Sequence, residues 1–368
     1  MYPDNQKKIV IGLVITIIII VSVVLILVFN NSDNIQLSPD LKCNTLNYNG
    51  ENKINLVFFS TKQQAESYSN YLLDSTPFNS HKTNFNIYYI DYSPECELYQ
   101  GKGILCYNSN VIKAASLCPN DFIIAIKTEP KKIKSTAYMN VVSLNSNHPN
   151  SVILHEFGHV FANLADEYVG SIIPSGSKNC QNNCNEFKQY TNDCYQGCSE
   201  QDYYRSIEQG VMKSLKTTDY GKYNLNLIAS KILSSSSITG HAVSDSQDCS
   251  NNNYYLIRGI NSNNEFNVLS QTVEQGCVGT NGVGGYEYNL LREDGKIIQS
   301  DDFNPELIYL DSQEDTQQEI EGGTSISDRE FYLKVPIIED ATTIEISDGT
   351  QTISQINLQT PDNRPCLI

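Results

Sequence analysis

The stretch "SVILHEFGHVFANLADEY", Ser151 to Tyr168, decides how the rest of the chain is read. His155 and His159 stand four residues apart. On a helix that is about one turn, so both imidazoles leave the same face and can share one ion. Glu156 sits between them, where a carboxylate can reach water activated by zinc. Zinc lowers the pKa of such a water toward about 7, and the carboxylate can take the remaining proton during attack on a peptide carbonyl. The flanking Val152, Ile153, Leu154, Phe157, Val160 and Phe161 are apolar, which predicts a buried helix that holds its ligands rigidly. A buried helix can also carry histidines with no such role, and H-E-x-x-H arises by chance. Yet the chain has 5 histidines in all, and two fall here. The spacing predicts a Zn2+ site with His155 and His159 as ligands and Glu156 as general base.

Working outward, the chain has 368 residues, which suits about two domains, with Lys+Arg 25 against Asp+Glu 42 and a net charge of −17. Such a surface repels phosphate backbones and excludes nucleic acid as an expected partner. The run Ile9–Phe29 is apolar except at Gly12, Thr16 and Ser22. As a helix it would span about 31 Å, enough for a bilayer core. Lys7 and Lys8 precede it, and Asp33 and Asp40 follow it. The positive-inside bias then places residues 1–8 in the cytoplasm, residues 9–29 across the membrane and the catalytic part outside the cell. A cleaved signal peptide is the alternative, but its apolar core is normally about 7–15 residues, and "VFNNSDN" lacks a small-residue cleavage pattern. The 11 cysteines suit an exported chain, and their odd number leaves at least one without an intrachain partner.

Residues 30–50 are polar and read as a stalk. "KINLVFF", "NFNIYYI", "DFIIAIK" and "MNVVSL" are buried-type strands, and "TKQQAESYSNYLLD" and "NSNVIKAASL" read as helices, the first with Thr61 as N-cap. Alternation of the two predicts an α/β catalytic domain over residues 51–243. From about Ser244 the pattern becomes short strands and hairpins, with turn pairs Asp294-Gly295 and Asp348-Gly349. Residues 244–368 therefore read as a C-terminal all-β sandwich.

Several separate segments, in order, resemble the IgA-peptidase-type family of zinc metallopeptidases, a branch of the zincins. They are "INLVFFSTKQQAE…LLDSTPFNSHKTNFNIYYID", "NVIKAASLCPNDFIIAIK", "MNVVSLNS", "HEFGHVFANLADEY" and "YYRSIEQGVMKSLKTTDYGKYN", covering roughly Lys53 to Leu233. The resemblance implies a metzincin-like zincin fold and peptide-bond hydrolysis. The chain departs from the family at Ala162 and Asn163, where glycines are common, and at "EPKKIKSTAY", where a Gly-rich segment is usual. In metzincins the metal helix stops at a glycine, and a third His or Asp six residues past the second His binds the ion. That position here is Ala165, which has no donor.

Asp166 and Glu167 follow it. On a continuous helix Asp166 would lie about 10 Å along the axis from His159, too far for a ligand bond of about 2 Å. A third ligand from this segment requires the helix to end near Ala162–Asn163, and asparagine tolerates the left-handed conformation such a stop uses. Asp166 is the expected ligand and Glu167 the alternative; either acid could instead orient a histidine. Met212, in "GVMKSL", falls where metzincins place a methionine beneath the zinc, although a Met is more often ordinary core.

Cys180, Cys184, Cys194 and Cys198 could hold a second zinc, but outside the cell disulfides are the stronger expectation. The function expected from all this is a membrane-anchored, extracytoplasmic zinc endopeptidase acting on protein or peptide substrates, with "MNVVSL" as the edge strand that receives them. The alternatives are an inactive cell-surface binding protein on a peptidase fold and a zinc amidase acting on cell-wall peptides.

Overall fold

The computed structural model describes residues 41–235, 249–262, 265–311, 323–326 and 329–358. The expected strands form where branched and aromatic residues cluster. In chain order the strands of the structure begin with β1 (Asn44–Asn47), β2 (Ile54–Phe59), β3 (Phe85–Ile90), the short hairpin β4 (Glu97–Tyr99) and β5 (Gly103–Leu105), then β6 (Phe122–Lys127), β7 (Thr136–Tyr138) and β8 (Val141–Asn145), of which β2, β3, β6 and β8 are the expected ones. Helix α1 (Lys62–Asp74) follows β2, and α2 (Ser109–Ala115) precedes β6. Thr61 caps α1 in a reciprocal box with Gln64. Helix α3 (Ser151–Ala162) comes next, then β9 (Tyr195–Cys198), β10 (Glu200–Arg205) and α4 (Gly221–Ser235).

The later strands are β11 (Asn253–Ser262), β12 (Glu265–Gln275), β13 (Tyr286–Arg292), β14 (Ile297–Phe303), β15 (Leu307–Leu310), β16 (Gly323–Ile326), β17 (Glu330–Pro336), β18 (Ala341–Ser347) and β19 (Thr352–Asn357). The main sheet has the order β1-β3-β2-β6-β8-β7-β15-β16. Its centre is parallel, from β3 through β2 and β6 to β8, with helices in the crossovers. Beyond β8 the pairings turn antiparallel. Two further sheets, β12-β11-β17 and β14-β13-β18-β19, meet through Phe266, Phe303 and Phe331.

This corrects the expected fold class of an α/β zincin domain followed by a separate β-sandwich. The protein is mostly β-sheet, in several sheets. β15 and β16 come from the part expected to be a separate module, yet they complete the main sheet by pairing on β7. Strand periodicity says that a segment is a strand, not which sheet it joins, because the partner is chosen by packing far away in sequence. The expected substrate edge is also corrected: "MNVVSL" becomes β8, an interior strand with β6 on one side and β7 on the other.

The expected single-pass membrane placement finds no support among the described residues. Among the described residues no helix is long and apolar enough to cross a membrane, and the expected span Ile9–Phe29 lies outside them. Within the segment expected as a stalk, Asn44–Asn47 pair with β3, and Cys43 is bonded to Cys118. Ten cysteines form five disulfides: Cys43–Cys118, Cys96–Cys106, Cys180–Cys198, Cys184–Cys194 and Cys249–Cys277. Such pairing belongs to an oxidising environment. Cys366 lies outside the described residues.

Helix α3 lies against the main sheet and is buried from Ser151 to Phe161. Its Phe157 and Phe161 stack at 5.0 Å and join Phe78 and Phe122 in one aromatic cluster. Burying each such ring contributes about 1.5–3 kcal/mol, so the helix is held firmly to the sheet. On its other face Gly158 leaves room for Met212. A Cβ there would fall 2.8 Å from the sulfur of Met212, which is itself fully buried. Gly158→Ala is expected to lower unfolding stability by about 1–3 kcal/mol. Urea denaturation checks this; an unchanged midpoint would mean that Met212 repacks freely.

Candidate metal centre

The helix that carries His155 and His159 ends where the sequence allows it to. Asn163 adopts the left-handed conformation (φ 50, ψ 38), and its N–H donates to the His159 carbonyl at 3.1 Å. The chain reverses, and Leu164 N–H donates back to the Gly158 carbonyl at 3.2 Å. This turn brings Asp166 over the helix face that holds the two histidines. His155 Nε2 lies 3.3 Å from Asp166 Oδ1, His159 Nε2 lies 3.4 Å from the same oxygen, and the two Nε2 atoms are 3.3 Å apart. His155, His159 and Asp166 form a group that could hold a metal ion.

The surrounding hydrogen bonds orient these atoms. His155 Nδ1–H donates to the Val211 carbonyl at 2.9 Å, and His159 Nδ1–H donates to the Leu164 carbonyl at 2.6 Å. A carbonyl only accepts, so each ring carries a proton on Nδ1 and turns Nε2 toward the shared point. Asp166 Oδ2 accepts from the hydroxyls of Ser171 at 2.8 Å and Thr324 at 3.3 Å, while Oδ1 has no hydrogen-bond partner. At 3.3 and 3.4 Å the histidine contacts are longer than a charge-assisted hydrogen bond. Three donor atoms thus surround one point, 3.3–3.4 Å from one another, an arrangement that a cation could complete.

Glu167 takes the opposite direction. Its Oε1 accepts from Asn179 at 3.2 Å and Asn224 at 2.8 Å, and its backbone N–H donates to the Met212 carbonyl at 2.8 Å. Ala165 offers only its backbone, clamped on both sides by the Asn179 amide. The Cys180–Cys198 disulfide packs against Ala165 and anchors the loop that carries Asn179. The cysteine-rich insertion therefore steadies the turn that delivers Asp166. Met212 packs its sulfur against Gly158, and the carbonyl of the neighbouring Val211 orients His155.

Sequence reading missed several contributors. Tyr309 of β15 stacks flat on His159, with ring centroids 4.1 Å apart. Ser171, Thr324, Asn179 and Asn224 also act here, and nothing in their local sequence marks them. His148 and Asp311 form a buried ion pair at 2.7 Å.

The electrostatics follow from burial and from opposed charges. Burial alone would push the Asp166 carboxyl up, but the two histidines outweigh it and hold the group far below the carboxylate range. Burial pulls His155 down, yet the bonding and charge of Asp166 outweigh that and lift it to about 9 in the metal-free protein. Burial dominates for His159 and lowers it. Burial pushes Glu156 well above its ordinary value, with the neighbouring His155 opposing. Glu167 is pushed up to about 7 by burial, partly offset by its two asparagine donors.

A sign follows for metal uptake. His155 is protonated at neutral pH without metal, so a cation must displace about one proton to bind. Affinity for a divalent metal is expected to rise about tenfold per pH unit between roughly pH 6 and 8, with release of about one proton. Calorimetry in buffers of different ionisation enthalpy measures that release. An affinity flat across this range would show that His155 is neutral before binding.

No protein-family model matches the chain, and no curated protein matches it.

Proposed function

We propose that this chain is a zinc-dependent endopeptidase working in an oxidising compartment. The observation that carries the reading is the triangle of donor atoms, with edges of 3.3, 3.3 and 3.4 Å. Ligands about 2.0–2.1 Å from a tetrahedral ion are about 3.3–3.4 Å from each other, which is the edge length expected for zinc with two imidazoles and a carboxylate. The resemblance of residues 53–233 to IgA-peptidase-type zinc metallopeptidases points the same way.

His155, His159 and Asp166 would hold the ion. When bound, zinc supplies Lewis-acid activation of water and of the carbonyl under attack. Glu156 supplies the proton chemistry. Its two carboxylate oxygens are buried and have no hydrogen-bond partner. A group buried so, at a cost, is suited to take a proton from water and return it to the departing amine. Its raised affinity for protons suits the second step. Rigid carriage on α3 keeps this carboxylate one residue from the ligand His155, so the base and the ligands move as one body.

The test combines metal content with cleavage. Full-length protein is dialysed against zinc, its metal is counted, and it is offered a quenched fluorescent peptide library with and without a chelator. One zinc per chain and chelator-sensitive cleavage of internal peptide bonds support the reading. Zinc binding with cleavage confined to cell-wall amides would favour the amidase. Zinc binding with no hydrolysis, even after the release described next, would favour a binding protein.

A further inference from the structure

The site just described is closed. His155, Glu156 and Asp166 are 0% exposed and His159 is 1% exposed. A peptidase must admit an extended backbone to these groups, so what covers them matters. Strands β15 and β16 lie against this group, with Tyr309 on His159 and Thr324 on Asp166. β15 pairs antiparallel with β7, matching Tyr309 to Ala137 and Leu310 to Thr136. The ladder continues with Asp311 N–H donating to the Ser135 carbonyl at 3.2 Å. β7 follows β8 in the sheet, so without β15 it would be the open edge on this side. An open strand edge is the surface on which extended peptides dock.

The strand does more than lengthen the sheet. Tyr309 lays its ring on the metal-site imidazole of His159. The Leu310 carbonyl accepts from the Tyr168 hydroxyl at 3.3 Å, two residues beyond Asp166. The Asp311 carboxylate accepts from the Ser135 N–H at 3.1 Å and pairs with His148 at 2.7 Å. From β16, the Thr324 hydroxyl reaches Asp166 itself, and Thr324 N–H donates to Ser171. A strand that merely extended a sheet would have no reason to bring a ring and a hydroxyl onto the proposed metal ligands.

Resting on the peptidase reading above, we propose that β7 is the substrate-docking strand and that β15 occupies it as a built-in substrate mimic, which makes this form latent. The mimic also describes the substrate class. It is an extended peptide, antiparallel to β7, with a large aromatic side chain placed against His159 where Tyr309 now lies. Catalysis then requires displacement of the β15–β16 pair from β7.

The experiment uses full-length protein loaded with zinc, the double variant Tyr309→Ala, Asp311→Ala, and the milder Thr324→Ala. Thr324→Ala removes one contact to Asp166 and leaves the β15 core residues in place, so it serves if the double variant does not fold. Two readouts precede any activity: the rate at which 1,10-phenanthroline strips the zinc, and the affinity for a tyrosine-containing tripeptide hydroxamate. An occluded site whose open state is a minor population of about 0.1–10% weakens binding by the inverse of that fraction. The double variant is therefore expected to lose zinc faster and to bind the hydroxamate at least about tenfold more tightly, with Thr324→Ala between it and the parent.

Folded variants that match the parent in both readouts would overturn the occlusion while leaving the peptidase reading intact. Tighter hydroxamate binding with no peptide cleavage would sustain the occlusion and defeat the peptidase reading. No zinc in any of the three proteins would defeat both.

Discussion

Glu156→Gln is expected to retain zinc and to hydrolyse peptides at least about a hundredfold more slowly, because a general base contributes roughly 10²–10⁴ in rate. The same loss is expected in the parent and in the Tyr309→Ala, Asp311→Ala background. Glutamine keeps the shape of the side chain and leaves His155 and His159 untouched. It also replaces a carboxyl whose two oxygens are buried without partners. Replacing a buried carboxyl that nothing satisfies by a neutral amide of the same shape removes the cost of ionising it there and should leave stability equal to the parent's or higher. The signature is therefore activity lost, metal kept and melting temperature not lowered. A variant that cleaves at the parent rate would remove Glu156 from the chemistry, whatever the ligands prove to be.

Asp166→Ala is expected to weaken zinc binding by more than about a hundredfold, since losing even a residue that only orients a ligand costs about 10–100-fold. The two histidines would remain as ligands, but their neighbouring carboxylate would be gone. Glu167→Ala provides the contrast. It strips the acceptor from Asn179 and Asn224, two buried donors, and each unsatisfied group costs about 1–3 kcal/mol. It should lower stability while leaving zinc affinity within the range of an orienting residue. Competition with a chromophoric chelator separates the two. Equal zinc affinity in Asp166→Ala and the parent would sink the ligand assignment.

Both experiments act on an environment only partly legible in sequence. The spacing of His155 and His159, the apolar flanks of their helix and the tolerance of Asn163 for a left-handed stop are local properties. Each depends on neighbours within a few turns, where helix geometry leaves little freedom. The choice between Asp166 and Glu167 lies at the boundary. Sequence brings both acids to the turn, but their directions depend on distant residues. Asn179 and Asn224 draw Glu167 away, and Asp166 is left facing the imidazoles.

The sequence by itself determined the helix face that carries His155 and His159, the strand and helix segments near it and a cysteine content suited to an oxidising environment. These follow from short-range periodicity, capping and cysteine content. Only the tertiary structure decided that β15 and β16 leave the C-terminal strands for the main sheet, and that β8 is interior while β7 takes β15. It alone placed Tyr309 on His159 and paired the ten cysteines as they are. A strand's pattern of apolar residues states which face is buried but is silent on its partner. The partner is selected by complementary surfaces that meet only after the chain has folded.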